Sequence, residues 1–129
     1  MSLTRTAIIG LMLDLANEMD IGYLYITHDL AVARYIYDQI AVMYLGKIAG
    51  IADTEEQLAN PLHPYTQALI GAVPQPDPRI QQEEISISVS VSSPVDPAPR
   101  CRFYDRCPIA AEICAASDHP SLDDVVMNH

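Results

Sequence analysis

Two groups of residues in this chain have types and spacing suited to chemistry. The first is Thr27-His28-Asp29-Leu30, which directly follows the unbroken apolar and aromatic run Tyr23 to Ile26. A run of that kind predicts a strand covered on both faces in a parallel sheet. The polar triplet Thr27-His28-Asp29 at its carboxyl end stands where open α/β sheets bind their ligands. An imidazole there can donate a hydrogen bond to a ligand. The plainer alternative for His28 is a polar loop residue that caps the next helix. The second group is Cys101, Cys107 and Cys114, spaced C-x5-C-x6-C. Structural zinc sites favour tight C-x₂₋₄-C pairs, so zinc fits poorly. Local candidates for a fourth ligand are His119 and His129. Three free thiols, or a single disulfide, explain the same residues without a metal.

These groups need elements to hold them. Thr4 to Met19 carries apolar residues at Ile8, Leu11, Met12, Leu15 and Met19, the spacing of an amphipathic helix. With the strand Tyr23 to Ile26 it reads as half of a βαβ unit. Leu30 to Tyr37 predicts a short helix with Asp29 as N-cap. Gln39 to Tyr44 and Ile48 to Ala52 predict a hairpin around Leu45-Gly46-Lys47. Thr54-Glu55-Glu56-Gln57 has the form of a capping box. Pro64 to Val73 predicts a helix opened by its proline, with His63 as cap and Tyr65 packing inward. From Pro74 the chain turns rich in Pro, Gln and Glu and reads as a linker. Ile85 to Val91 alternates Ile/Val with Ser, as an edge strand would. Ser92 to Arg100 is a loop, and Pro108 to Ala116 predicts a last helix before an acidic tail. There is no internal repeat.

Composition excludes several functions. The chain has 129 residues, 17 acidic against 7 basic, and a net charge of -10. Nucleic-acid binding needs clustered Lys and Arg to neutralise phosphates, so no nucleic-acid partner is expected. No apolar run reaches the roughly 18 to 20 residues that span a bilayer. The N-terminus lacks a signal-peptide layout, and the odd cysteine count does not suggest a secreted scaffold, so a cytoplasmic location is expected.

Three blocks together resemble one family. They are Thr27-His28-Asp29-Leu30, then Ile40-Ala41-Val42-Met43-Tyr44-Leu45-Gly46-Lys47-Ile48, then Asn60-Pro61-Leu62-His63-Pro64-Tyr65-Thr66-Gln67-Ala68-Leu69. They resemble the ATP-binding subunits of oligopeptide and dipeptide ABC transporters. The Asn-Pro-x-His-Pro-Tyr-Thr block and Cys101 to Pro108 resemble the C-terminal extension that marks the peptide-importer branch. The family's P-loop, signature motif and Walker B strand are missing and would lie before residue 1.

The resemblance therefore implies a C-terminal piece of mixed α/β fold. Residues 1–53 would be the distal part of the ATPase core, helix-strand-helix plus hairpin, and residues 54–129 a small helical and irregular extension. It implies that His28 is the switch histidine, both catalytic and nucleotide-binding, facing the γ-phosphate of ATP with Mg²⁺ in the parent protein. It implies an iron–sulfur ligand set at Cys101, Cys107 and Cys114, incomplete here because the family pattern has a fourth Cys. The implied partners are transmembrane permease subunits, a second ATP-binding subunit and an extracellular solute-binding protein, on the cytoplasmic face of the membrane. The chain by itself is expected to hydrolyse no ATP. The competing reading is a non-enzymatic dimerisation or metal-binding module. The uncovered apolar helix and strand edge predict a homo-oligomer in either case.

Overall fold

The computed structural model describes residues 3–73 and 95–123. The predicted linker, the predicted strand at Ile85 to Val91 and His129 lie outside the described residues.

The amphipathic pattern at the N-terminus forms helix α1, Leu3–Met19. None of its residues is buried, and Ile8, Leu11 and Met19 stand in solvent. The chain then runs through 21–30 without regular secondary structure. This corrects the expected strand: Leu24 is 92% and Ile26 91% exposed. The reason is physical. A strand exists through its ladder, and the described residues place no strand beside Tyr23 to Ile26. The predicted helix at 30–37 shrinks to α2, Ala33–Ile36. Asp29 does not cap it. Its carboxylate accepts from the Ala31 backbone N–H (3.0 Å) and closes a turn ahead of the helix.

The hairpin forms as predicted, from β1, Gln39–Tyr44, and β2, Lys47–Asp53, paired antiparallel. Leu45 and Gly46 both have positive φ (44° and 76°), the geometry of a two-residue hairpin turn. Register runs Gln39↔Asp53, Ile40↔Ala52 and Val42↔Gly50, then slips so that Met43 faces Ile48. Ala49 is thus the extra residue of a bulge. Along β1 the residues alternate exposed and buried, with Ile40, Val42 and Tyr44 inward.

That inward face is where the core sits. Ala33, Ile40 and Val42 form its centre, and Leu30, Tyr37, Ala49, Tyr65 and Leu69 pack around it. Each fully buried aliphatic side chain contributes about 1.5–3 kcal/mol. Helix α3, Thr54–Ala59, covers the hairpin directly after β2. The expected capping box does not form. Asp53 takes the cap position, and the buried Thr54 hydroxyl instead donates to the Tyr37 carbonyl at 2.6 Å. The Thr54 N–H adds a bond to the Asp38 carbonyl at 2.9 Å, strapping α3 to the entry of β1.

Helix α4, Pro64–Gly71, starts at its proline as expected. The last predicted helix is shorter than expected. Residues 108–111 are turn and extended chain, and only α5, Glu112–Ala116, is helical. A single turn of 3₁₀ helix, Tyr104–Arg106, precedes it. The architecture is therefore a mixed α/β arrangement: a two-stranded antiparallel hairpin with helices.

Candidate functional site

His28 sits in the irregular segment between α1 and α2 and is exposed. Its neighbours, not its own ring, are held. The Asp29 N–H donates to Thr27 Oγ1 at 3.1 Å. The Asp29 carboxylate also meets Arg5 of α1 at 3.0 Å, so the helix start and the His28 turn are tied by one ion pair. Both partners are partly exposed, so the pair contributes little, on the order of 0–1 kcal/mol. This geometry leaves the imidazole open to a ligand arriving from solvent.

A second, denser group lies at the far end of the hairpin. Phe103 is 1% exposed and packs among three rings: Tyr44 of β1 at 5.0 Å, His63 at 5.1 Å and Tyr65 of α4 at 5.6 Å between centroids. Tyr44 and Tyr65 also meet edge-on at 4.8 Å. His63 performs the cap role expected from its place before Pro64. Its Nδ1 accepts from the Tyr65 N–H at 3.1 Å. In the same segment, His119 Nδ1 accepts from the Arg102 N–H at 3.1 Å. Burial pushes the His63 pKa below its ordinary range, and the neighbouring His119 adds to that. His119 is lowered too, by burial first and then by the charges of Lys47 and Arg102.

Cys101, Cys107 and Cys114 all belong to this segment, and all three are free and half-buried. The Cys101 N–H donates to the Cys114 carbonyl at 3.1 Å, and the Cys107 N–H donates to the Tyr104 carbonyl. The backbone thus brings the neighbourhoods of Cys101 and Cys114 together. Among the described residues, however, no three His, Cys, Asp or Glu side chains group so as to hold a metal ion. As placed, the three thiols do not fit an iron–sulfur ligand set. His119 spends its Nδ1 lone pair on the Arg102 backbone, which removes it as a ligand through that atom. No helix among the described residues is long and apolar enough to cross a membrane.

Residues 51–114 match the family described as oligopeptide/dipeptide transporter, C-terminal region. A probable peptide ABC transporter ATP-binding protein of Sinorhizobium fredii is 43% identical over 116 residues, 90% of this chain and 33% of the relative. Residues 51–114 thus carry the C-terminal region of the oligopeptide/dipeptide transporter family. An oligopeptide transport ATP-binding protein of Bacillus subtilis is 44% identical over 112 residues, 85% of this chain and 34% of its own. A dipeptide transport ATP-binding protein of Haemophilus influenzae is 40% identical over 119 residues, 92% of this chain and 36% of its own. The chain spans about a third of the length of the curated relatives it matches.

The matched transporter region begins inside β2 and ends at Cys114, so it contains α3, α4, Phe103 and all three cysteines. The ring cluster is what sequence reasoning passed over. Its signal was present: Phe103 is the single phenylalanine of the chain and stands between two cysteines. Next to Cys101, the Nε and Nη1 of Arg102 are buried without a hydrogen-bond partner.

Proposed function

We propose that this chain is the distal part of the energy-coupling subunit of a peptide-type ABC importer. Residues 1 to about 53 would complete the ATP-binding core, and those from about 54 would form the extension specific to the peptide branch. The observation that carries this reading is the sustained identity to peptide-transport ATP-binding proteins along nearly the whole chain, the His28 segment included. The start of the family match within β2 supports the division near residue 53.

In this reading His28 donates an imidazole N–H toward the terminal phosphate of ATP bound by the parent protein. The exposed ring fits that contact. Thr27, Asp29 and Arg5 act by holding the turn that presents it. ATP with Mg²⁺ supplies the phosphoryl group and its counter-charge; this chain supplies one donor and no phosphate cradle among its described residues. The subunit would act at the cytoplasmic face, against transmembrane permease subunits, a second ATP-binding subunit and an extracellular solute-binding protein. The apolar surface of α1 and of 21–26 would be covered in that assembly; in the chain by itself it favours a homo-oligomer.

The test uses a full-length ATP-binding subunit ending in this sequence, assembled with its permease. Substitution His28→Ala should lower ATP turnover by roughly 10²–10³-fold while nucleotide binding persists. Turnover that survives the substitution overturns the role of His28. The chain of 129 residues alone should show no turnover.

A further inference from the structure

Three half-buried thiols lie within one short segment, and its backbone sorts them into a pair and an outlier. From Cys101 the chain advances in tight turns. The Tyr104 N–H donates to the Cys101 carbonyl at 3.1 Å, the Cys107 N–H to the Tyr104 carbonyl at 3.4 Å, and the Ala110 N–H to the Cys107 carbonyl at 3.4 Å. The Cys114 N–H then donates to the Ala111 carbonyl at 2.9 Å, at the start of α5. The circuit closes where the Cys101 N–H donates to the Cys114 carbonyl at 3.1 Å. Cys107 stands midway round it, and none of these bonds joins it to either other cysteine.

That closing bond decides which thiols can meet. One N–H···O=C bond between two residues holds their Cα atoms roughly 5–6.5 Å apart. A disulfide spans Cα separations of about 4.4–6.8 Å. Cys101 and Cys114 therefore stand at bridging distance as the backbone lies. Chain proximity points the other way. Cys107 is six residues from Cys101 and seven from Cys114, whereas Cys101 and Cys114 are thirteen apart. Loop-closure entropy favours the two shorter loops, so only the fold selects the longer one. The longer loop encloses Phe103, which is buried against Tyr44, His63 and Tyr65. Both cysteines are half-buried, and Cys101 lines a cleft of about 220 Å³ with Leu45, Asp96 and Arg100, which gives a small oxidant a way in.

We propose that Cys101 and Cys114 are a redox-sensitive pair whose disulfide latches the loop carrying Phe103, with Cys107 left as a free thiol. The oxidant is a low-molecular-weight disulfide. The thiolate of one cysteine attacks it, the small S–S bond breaks, and one small thiolate leaves and takes up the proton. The thiolate of the other cysteine attacks the protein sulfur of the mixed disulfide. The Sγ–Sγ bond forms, and the second small thiolate leaves with the second proton. Two electrons pass from the cysteine pair to the small disulfide. An excess of the small thiol runs both steps backward and opens the latch. The closed loop has fewer conformations to gain on leaving the hairpin, so oxidation holds Phe103 docked.

The test equilibrates the whole chain with oxidised and reduced glutathione in varied ratio, quenches with acid and blocks the remaining thiols. Trypsin with a glutamate-specific protease cuts after Arg102, Arg106 and Glu112, which puts each cysteine on its own peptide for mass spectrometry. The Cys101–Cys114 link should exceed either alternative by roughly tenfold or more, with Cys107 blocked. In concentrated urea the preference should turn toward the two shorter loops. Cys107→Ser should leave the pairing intact, and Cys114→Ser should leave Cys101 as a mixed disulfide with glutathione. Oxidation should slow alkylation of Cys107 in the folded chain roughly ten- to hundredfold. A folded chain that links Cys107 as its main product, pairs its cysteines as it does in urea, or closes no internal disulfide overturns the proposal. Alkylation of Cys107 that is unchanged by oxidation overturns the latch.

Discussion

Phe103→Ala should release the segment 95–123 from the rest of the chain. Phe103 is 1% exposed and is the common member of three ring contacts, at 5.0, 5.1 and 5.6 Å, that reach both the hairpin and α4. Truncating such a ring costs about 3–5 kcal/mol through lost transfer and the cavity left behind. The edge-on contacts lie within that figure, at about 0.5–1.5 kcal/mol each. The remaining attachments include the Arg106–Tyr44 contact, which is weaker. The core of Ala33, Ile40 and Val42 does not touch Phe103 directly and should persist. Thiol labelling reads the difference, because Cys101, Cys107 and Cys114 are half-buried only while the segment is docked. If opening limits labelling, a loss of 3–5 kcal/mol accelerates it by about two to three and a half orders of magnitude. Hydrogen exchange at the Cys101 and Arg102 N–H groups should accelerate alongside. Phe103→Leu should recover most of the protection. If Phe103→Ala changes labelling less than about threefold, the ring is not the anchor and the packing argument fails.

Three further outcomes are expected. His63 and His119 both sit below their ordinary pKa of 6.5, so the folded state prefers them neutral. Their contribution to stability is complete above about pH 6.5 and is lost as pH falls through the depressed values. Urea unfolding should therefore show a lower midpoint at pH 5 than at pH 7.5, and a His63→Asn, His119→Asn double variant should flatten that difference; an unflattened profile would assign it to other groups. Thr54→Val removes the hydroxyl that donates to the Tyr37 carbonyl at 2.6 Å and should cost about 1 kcal/mol by denaturant midpoint; no change would mean the strap is held by the Thr54 N–H alone. Sedimentation of the chain should show a dimer or larger species, reduced toward monomer by Leu24→Ser with Ile26→Ser, since both side chains stand more than nine-tenths exposed; a monomeric parent chain would refute the oligomer.

Much of the local structure was legible because its causes are local. Alternation along Ile40, Val42 and Tyr44 sets a buried face whatever packs on it, and a Leu-Gly pair between two such runs makes a turn. His63 before Pro64 caps a helix by short-range geometry, and it does so here. The types and order of His28 and the cysteines likewise pointed to the family before any fold was known. What depended on partners distant in sequence was not legible. Tyr23 to Ile26 has strand composition, but pairing needs a neighbour, and none lies beside it among the described residues. Thr54 had a helix-capping pattern, yet its hydroxyl found the Tyr37 carbonyl, a stronger claim because that carbonyl is brought close by the hairpin. Burial of Phe103 among Tyr44, His63 and Tyr65, and of Arg102 without an acceptor, arises only when the segment after residue 95 folds back on the hairpin. Periodicity and turn chemistry are written residue by residue; which aromatic becomes an anchor, and which charge is left unanswered, is decided by what the tertiary fold sets against it.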